Sequence, residues 1–346
     1  MAYELETKLV IGVASSALFD LSESDAYFQE HGEDAYRIYQ GANIDIRLEP
    51  GVAFPFVRRL LALNDLRSCD PPVEVIVLSK NDPNTGLRVM RSIAAHDLPM
   101  TRAVFTRGRS PHEYIPAFSM SLFLSANEND VRAAIDAGFP AGQVLPSAMN
   151  DDDEDGGALR VAFDFDGVVG DDESEKVFQG TGGLAAFQGH EVEHQGEPVG
   201  PGPLKQLLVD LNMIQHLERE RMKVDKGYQP RLQISLVTAR NAPAHERAVF
   251  TLMSWGVSVD DAFFLGGIEK AKVLKVMKPH LFFDDQTGHL TSAAEYAASV
   301  HVPYGISNVT KANLGVKASV PRLEPSKPNP STSPPPAERM TDDRDQ

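Results

Sequence analysis

Short apolar, β-favouring runs alternate with helical stretches along most of this chain, and that alternation constrains the fold more than any other feature. Lys8–Val13 reads as a strand and Ser22–Tyr39 as a helix broken near Gly32. A helix over Phe54–Leu63, a strand over Val73–Leu78, a helix over Gly86–Ala95 and a strand over Thr101–Phe105 follow. Ile115–Leu124 ends in a strand, and Glu128–Ala137 is an amphipathic helix closed by Gly138. The expected fold is α/β, with a parallel, doubly wound sheet.

The rhythm returns in the second half. Strand Arg160–Phe163 and helix Glu173–Phe178 lead into a Gly-rich polar excursion over 180–202, followed by a long helix from Pro203 to about Lys223. Strand Leu232–Val237, helix Ala242–Trp255, strand Ala262–Leu265, helix Lys270–Met277, strand His280–Phe283, helix Ser292–Ala298 and strand Val300–Val302 complete it. Between the halves, Asp151-Asp152-Asp153-Glu154-Asp155-Gly156-Gly157 is a run of like charges that repels itself and resists packing. From about Asn308 the chain is rich in Pro, Ser and Lys, a composition with too little apolar surface to offset the entropy of ordering. The expected organisation is a domain over 1–149, an acidic linker over 150–158, a second domain over 159–307 and a disordered tail over 308–346.

The two halves also match in register. Val77-Leu78-Ser79 lies 159 positions before Leu236-Val237-Thr238, and Leu122-Phe123-Leu124-Ser125 lies 159 before Leu281-Phe282-Phe283-Asp284. Ser24 falls on Ser174 at an offset of 150. This reads as a tandem duplication of one α/β unit. Where the second half has Asp164, Asp166, Lys270, Asp284 and Asp285, the first has Ala14, Ser16, Pro111, Ser125 and Ala126. Only the hydroxyl pair Ser79 and Thr238 survives, so the second half is expected to carry the chemistry and the first to be a degenerate copy.

A net charge of −16 argues against partners with a polyanionic backbone or an anionic membrane surface. The single cysteine, Cys69, allows no intrachain disulfide, and Met1-Ala2-Tyr3-Glu4-Leu5-Glu6 lacks the basic start and apolar run of a signal peptide. A cytoplasmic protein is expected, with a small-molecule partner, no nucleic-acid polymer and no membrane. Apolar faces on the degenerate half leave a homo-oligomer open.

Four elements fall in order at strand and helix boundaries: Asp164-x-Asp166, Thr238 closing Ser235-Leu236-Val237, Lys270 opening a helix, and Asp284-Asp285 closing Leu281-Phe282-Phe283. Singly they are a turn, a cap, a surface charge and another turn. In a doubly wound sheet they converge on one carboxyl edge. The set suits phosphoryl transfer. Carboxylates from Asp164 and the Asp284-Asp285 pair can hold Mg²⁺, and Asp164 can attack phosphorus to form an acyl phosphate. Thr238 and Lys270 can stabilise the transferring group, while Asp166 protonates the leaving oxygen and later takes a proton from water.

Asp164-Phe165-Asp166-Gly167-Val168, Thr238, Lys270 and Phe283-Asp284-Asp285 resemble motifs one to four of the haloacid dehalogenase-like phosphohydrolases. Leu236-Val237-Thr238-Ala239-Arg240, Ser254-Trp255-Gly256, Pro279-His280-x-Phe282-Phe283-Asp284-Asp285-Gln286 and His301-Val302-Pro303-Tyr304-Gly305 further resemble the cytosolic 5′-nucleotidase I family. The likeness reaches into the first half through Ser15-Ser16-x-Leu18-Phe19 and Phe54-Pro55-Phe56-Val57, and covers about residues 7 to 306. It implies Mg²⁺-dependent hydrolysis of nucleoside 5′-monophosphates, AMP first and IMP next, through an aspartyl-phosphate. Asp164 is then the nucleophile, Asp166 the acid/base and a metal contact through its main-chain carbonyl, Thr238 and Lys270 the phosphate binders, and Asp284 or Asp285 a metal ligand. Gly167 departs from the larger residue usual in the nucleotidase family. For the nucleoside, Phe165, Arg240 and Asn241 are candidate contacts, as are Phe187, His190 and His194 in the 180–202 excursion, which sits where such enzymes carry a small cap. Two other readings stay open: hydrolysis of a different phosphomonoester such as a sugar phosphate, and nucleotide binding without turnover.

Overall fold

The computed structural model describes residues 3–151, 157–180 and 182–308. Most of the acidic linker, and the tail beyond Asn308, lie outside the described residues. The first half runs β1 (Leu9–Val13), α1 (Ser15–Leu18), α2 (Ser22–Ala42), α3 (Phe54–Ala62), β2 (Val73–Ser79), α4 (Pro83–Ala95), β3 (Arg102–Phe105), β4 (Leu122–Ser125), α5 (Glu128–Asp136) and β5 (Ala141–Val144). The second runs β6 (Leu159–Phe163), α6 (Glu173–Gln179), α7 (Gly183–Glu193), α8 (Lys205–Val224), β7 (Leu232–Thr238), α9 (His245–Ser254), β8 (Asp261–Phe264), α10 (Lys270–Met277), β9 (Leu281–Asp284), α11 (Thr287–Ala293) and β10 (Ser299–His301).

One ten-stranded sheet passes through both halves in the order β3-β2-β1-β4-β5-β10-β9-β6-β7-β8. Every residue of β1, β4, β6 and β9 is buried, as expected of central parallel strands covered by helices on both faces. The rings of Phe163 and Phe283 stack across β6 and β9 at 5.1 Å, and this pairing fixes the two strands whose ends bear carboxylates.

The sheet is mixed, which corrects the all-parallel expectation. β5 and β10 pair antiparallel, Val300 opposite Val144 and His301 opposite Gln143, and this is the seam between the halves. β5 escaped the sequence reading because Ala-Gly-Gln-Val is short and carries a glycine, the weakest strand former of the four. Its Gly142 is there for space: a Cβ would collide with Val300 Cγ1 and touch Leu124 and Phe283 at 3.6 Å. Two helices also differ from expectation. The 180–202 excursion contains α7, hidden in the sequence by Gly182, Gly183 and Gly189. The helix expected at 292–298 lies instead at Thr287–Ala293, with Leu290 and Ala293 as its buried positions. The break near Gly32 is present, with φ 77° inside α2. Among the described residues no helix is long and apolar enough to cross a membrane.

The Gly142→Ala substitution presses a methyl group onto Val300 across the seam and is expected to lower stability by about 1–3 kcal/mol. Urea unfolding followed by the fluorescence of Trp255, the single tryptophan and a residue of the second half, reads whether the loss reaches that half. An unchanged midpoint would show that the seam does not bind the halves into one cooperative unit.

Candidate active site

Because β9, β6 and β7 are neighbours, the residues that end them meet at one edge: Asp284, Asp164 and Thr238. The Asp164 amide donates to Phe283 O at 2.8 Å, which continues the β6–β9 ladder to the first carboxylate. Lys270 opens α10, and its ammonium lies 2.7 Å from Asp164 Oδ2 and 2.7 Å from Asp284 Oδ2. All three side chains are buried. Burial raises Asp164 to about 6, with Lys270 opposing the rise and Asp284 and Asp166 adding to it. Burial also works against the charge on Asp284, but Lys270 and His289 outweigh it and hold that carboxyl below the usual range. Lys270 is held above the usual lysine range, since the two carboxylates overcome the cost of burying its charge.

Asp285 is in a different condition. It is buried, and its Oδ1 has no hydrogen-bond partner among the described residues. Burial first, then Asp164 and Asp284, push its carboxyl from 3.8 to about 9. The turn after Asp164 lies against it: Gly167 has φ +71°, and a Cβ there would stand 2.8 Å from Asp285 Cγ. A larger residue at 167 would therefore be strained on two counts, by the positive φ and by the Asp285 carboxyl.

The donor set fits a hard divalent cation. Acidic oxygens converge in a buried site, one of them without a protein partner, and Mg²⁺ prefers such oxygens to nitrogen. Asp164, Asp284 and His289 present ligand atoms all within 4.8 Å of one another, a possible metal-binding group. His289 is the softer donor of the three. Its Nδ1 lies 3.1 Å from Asp284 Oδ2, where it suits orienting that carboxylate.

Asp166 faces a second cluster. Arg240 grips its carboxylate with two parallel hydrogen bonds, Nε to Oδ2 at 2.8 Å and Nη2 to Oδ1 at 2.7 Å. The same guanidinium donates to Ser174 Oγ at 2.8 Å, to Ala244 O at 3.1 Å and to Glu191 Oε2. Glu191, on α7 and fully buried, also accepts from Ser174 Oγ at 2.7 Å and Arg247 Nη1 at 3.1 Å. Burial opposes the charge on Arg240, yet Asp166 and Glu191 outweigh it and hold the guanidinium above its ordinary range.

Asp164, Lys270 and Asp284 are thus in direct contact, while Asp166 is engaged by Arg240. Thr238 is buried at its strand end, where its hydroxyl accepts from the Arg240 amide at 3.2 Å. Phe165 is wholly buried beneath the Arg240 guanidinium, 4.9 Å from its ring centre, and shows no open face to a ligand. The Phe187 ring centre lies 5.5 Å from the same guanidinium. His190 bonds to Glu173 at 3.0 Å and packs against His194, ring centres 4.3 Å apart. Asn241 packs beside Gly266. The sequence reading missed Glu191, Arg247 and His289. No local pattern marks the first two, whose partners are distant in sequence; His289 had one signal, its place a helical turn after the Asp284-Asp285 pair.

Two outcomes follow from this geometry. Gly167→Ala forces a side chain into a positive φ and onto Asp285, so a loss of about 1–3 kcal/mol is expected in thermal or urea unfolding, with weakened Mg²⁺ binding. Full retention of both would mean the turn can move off Asp285. The second concerns pH. Because the folded-state value of Asp285 lies above its unfolded one, the stability it lends is present below about 4 and is lost as pH rises toward about 9. The metal-free protein should lose stability from pH 6 to pH 8, and the rise in Tm on adding Mg²⁺ should grow over that window. Calorimetry near neutral pH should find about one proton released per cation bound. No Mg²⁺-dependent shift at any pH would sink the cation site.

Comparison with known proteins agrees with this geometry. A family profile described as 5′-nucleotidase matches residues 1–309. Human cytosolic 5′-nucleotidase 1B is 32% identical over 294 residues, covering 82% of this chain and 47% of its own length. The chain thus spans about half the length of the curated relative it matches. No solved structure matches it.

Proposed function

The chain belongs to the 5′-nucleotidase family, and from that premise we propose that it hydrolyses nucleoside 5′-monophosphates, AMP foremost and IMP next, to nucleoside and phosphate. The observation that carries the reading is the buried contact of Lys270 with both Asp164 and Asp284 at one strand edge, beside the unpartnered oxygen of Asp285. Asp164 attacks phosphorus, so an Oδ–P bond forms as the ester O–P bond breaks and its electron pair leaves with the nucleoside oxygen. Asp166 gives that oxygen a proton. It then takes a proton from the water that cleaves the aspartyl-phosphate. The hydroxyl of Thr238 and the ammonium of Lys270 bind the transferring group. Mg²⁺, held by Asp164, the main-chain carbonyl of Asp166 and Asp284 or Asp285, would offset the repulsion between nucleophile and phosphate.

We assign the first half to a degenerate copy of the second. In support, β2, β3 and β4 open at Val73, Arg102 and Leu122, and β7, β8 and β9 open 159 residues later at Leu232, Asp261 and Leu281. Phe19 bridges Pro50 as Gly170 bridges Pro201, both pairs shifted by 151. The order β3-β2-β1-β4-β5 also mirrors β8-β7-β6-β9-β10. In this reading α7 belongs to a small cap on the catalytic half, and Phe187, His190, His194 and Asn241 remain the candidates for nucleoside contact.

The test is phosphate release from a panel of nucleoside 5′-monophosphates and sugar phosphates, with and without Mg²⁺. Mg²⁺-dependent release from AMP or IMP is expected, with Asp164→Asn lowering kcat by at least about 10³-fold. Release confined to sugar phosphates would keep the mechanism and discard the nucleotide. No release from any ester would leave a nucleotide-binding protein.

A further inference from the structure

Arg240 has no donor left for a substrate. A guanidinium carries five N–H groups, and here Nε and Nη2 hold Asp166, Nη2 also reaches Ser174, and Nη1 reaches Ala244 O and Glu191. Four of the groups in this network are buried: Ser174, Glu191, Arg240 and Arg247. Asp166 is the member that opens to the site, its side chain 20% exposed against 1% for Arg240. The order in space is therefore a helix of the 180–202 insertion, then Glu191, then Arg240, then the carboxyl next to the reacting centre.

We propose that Glu191 and Arg240 are positioning residues for the acid/base step: Glu191 on α7 holds the Arg240 guanidinium, whose planar fork sets the plane of the Asp166 carboxyl toward the leaving oxygen. The proposal rests on the phosphomonoester hydrolase reading above. Its physical basis is the difference between a fork and a point charge. Two parallel hydrogen bonds fix both oxygens of Asp166, and so the direction of its lone pairs and proton, which a single contact would not. Glu191 in turn stops the guanidinium from rotating, since its Oε2 and the Ala244 carbonyl take both Nη1 hydrogens. Presentation of Asp166 thus depends on α7 being docked, through a carboxylate that touches neither Asp166 nor the metal site. Arg247 supplies a contrast. It grips Glu191, and it holds Glu173 at 3.2 Å and Glu197 O at 3.0 Å, so it secures the insertion without touching Asp166.

The experiment compares two leaving groups on one nucleoside: AMP, whose alkoxide must be protonated as it leaves, and adenosine 5′-S-phosphorothiolate, whose bridging sulfur leaves as a stable thiolate. kcat/KM for each reports the steps up to nucleoside or thionucleoside release. Glu191→Gln and Arg240→Gln should lower kcat/KM for AMP by about 10²-fold and for the phosphorothiolate by less than about tenfold, the selectivity expected of Asp166→Asn itself. Arg247→Lys should lower both by the same small factor. Glu191→Gln keeps the shape of the side chain, so it serves should Arg240→Gln fail to fold, and thermal unfolding of each variant checks that. Equal losses on the two esters in a folded variant overturn the proposal and make the cluster structural, as does a rise in KM alone, which would mean Arg240 contacts substrate. If wild-type protein releases nothing from either ester in an Asp164-dependent way, the hydrolase reading falls and this proposal falls with it.

Discussion

Two carboxylates and one ammonium, all out of water, are the constraint on which the second half is built. Asp164 and Asp284 end adjacent strands, and without Lys270 between them their repulsion in a buried site would disfavour closing the β6–β9 ladder. The lysine is itself in an awkward place. It opens α10, where the helix dipole already presents positive charge, and a cation there is disfavoured on local grounds. Only the two carboxylates make that position favourable. Each group is thus tolerated because of the others, which is the usual signature of a site arranged for chemistry rather than for stability.

In the first half the ends of the central strands carry hydroxyls rather than carboxylates. Ser15 and Ser79 hydroxyls meet there at 3.0 Å and satisfy one another, and Ser125 stands where β9 ends in Asp284. Neutral hydroxyls can be buried in pairs at little cost, so these strand ends need no counter-ion between them. The contrast separates what the strand order requires from what the reaction requires. Parallel strands bring chain ends together on both sides of the seam; only the second half ends its central strands β6 and β9 in carboxylates.

What could be read from the sequence divides along the same line. Central strands were legible because burial on both faces forces continuous apolar runs, and Asp164, Thr238, Lys270 and Asp284 were legible because each sits at the boundary of such a run. The Arg240 network was not. Asp166 and Arg240 are joined over 74 residues, Arg240 and Glu191 over 49, and Arg247 and Glu191 over 56, so no periodicity or local spacing carries them. Glu191 in a glycine-rich polar stretch looks like a solvated charge until α7 is packed against α6 and Glu191 meets Ser174, Arg240 and Arg247. Gly167 is the intermediate case: its identity stood out as a departure, but its reason, the nearby Asp285 carboxyl, is visible only in three dimensions.

Asp285 also ties the site to the seam. Its carbonyl oxygen is 3.1 Å from His301 Nε2 and 2.9 Å from Asn308 Nδ2, and the same His301 nitrogen is 2.9 Å from Asn308 Oδ1. Both neighbours of that nitrogen are acceptors, so Nε2 must carry the hydrogen. Burial lowers the pKa of His301 and favours the neutral ring, which supplies that one donor. His301 lies on β10, opposite Gln143 of β5, so the main chain of Asp285 hangs from the strand that joins the two halves. The first half therefore bears on the site without supplying a carboxylate to it, because it provides the edge against which β10, and through it Asp285, is held in register.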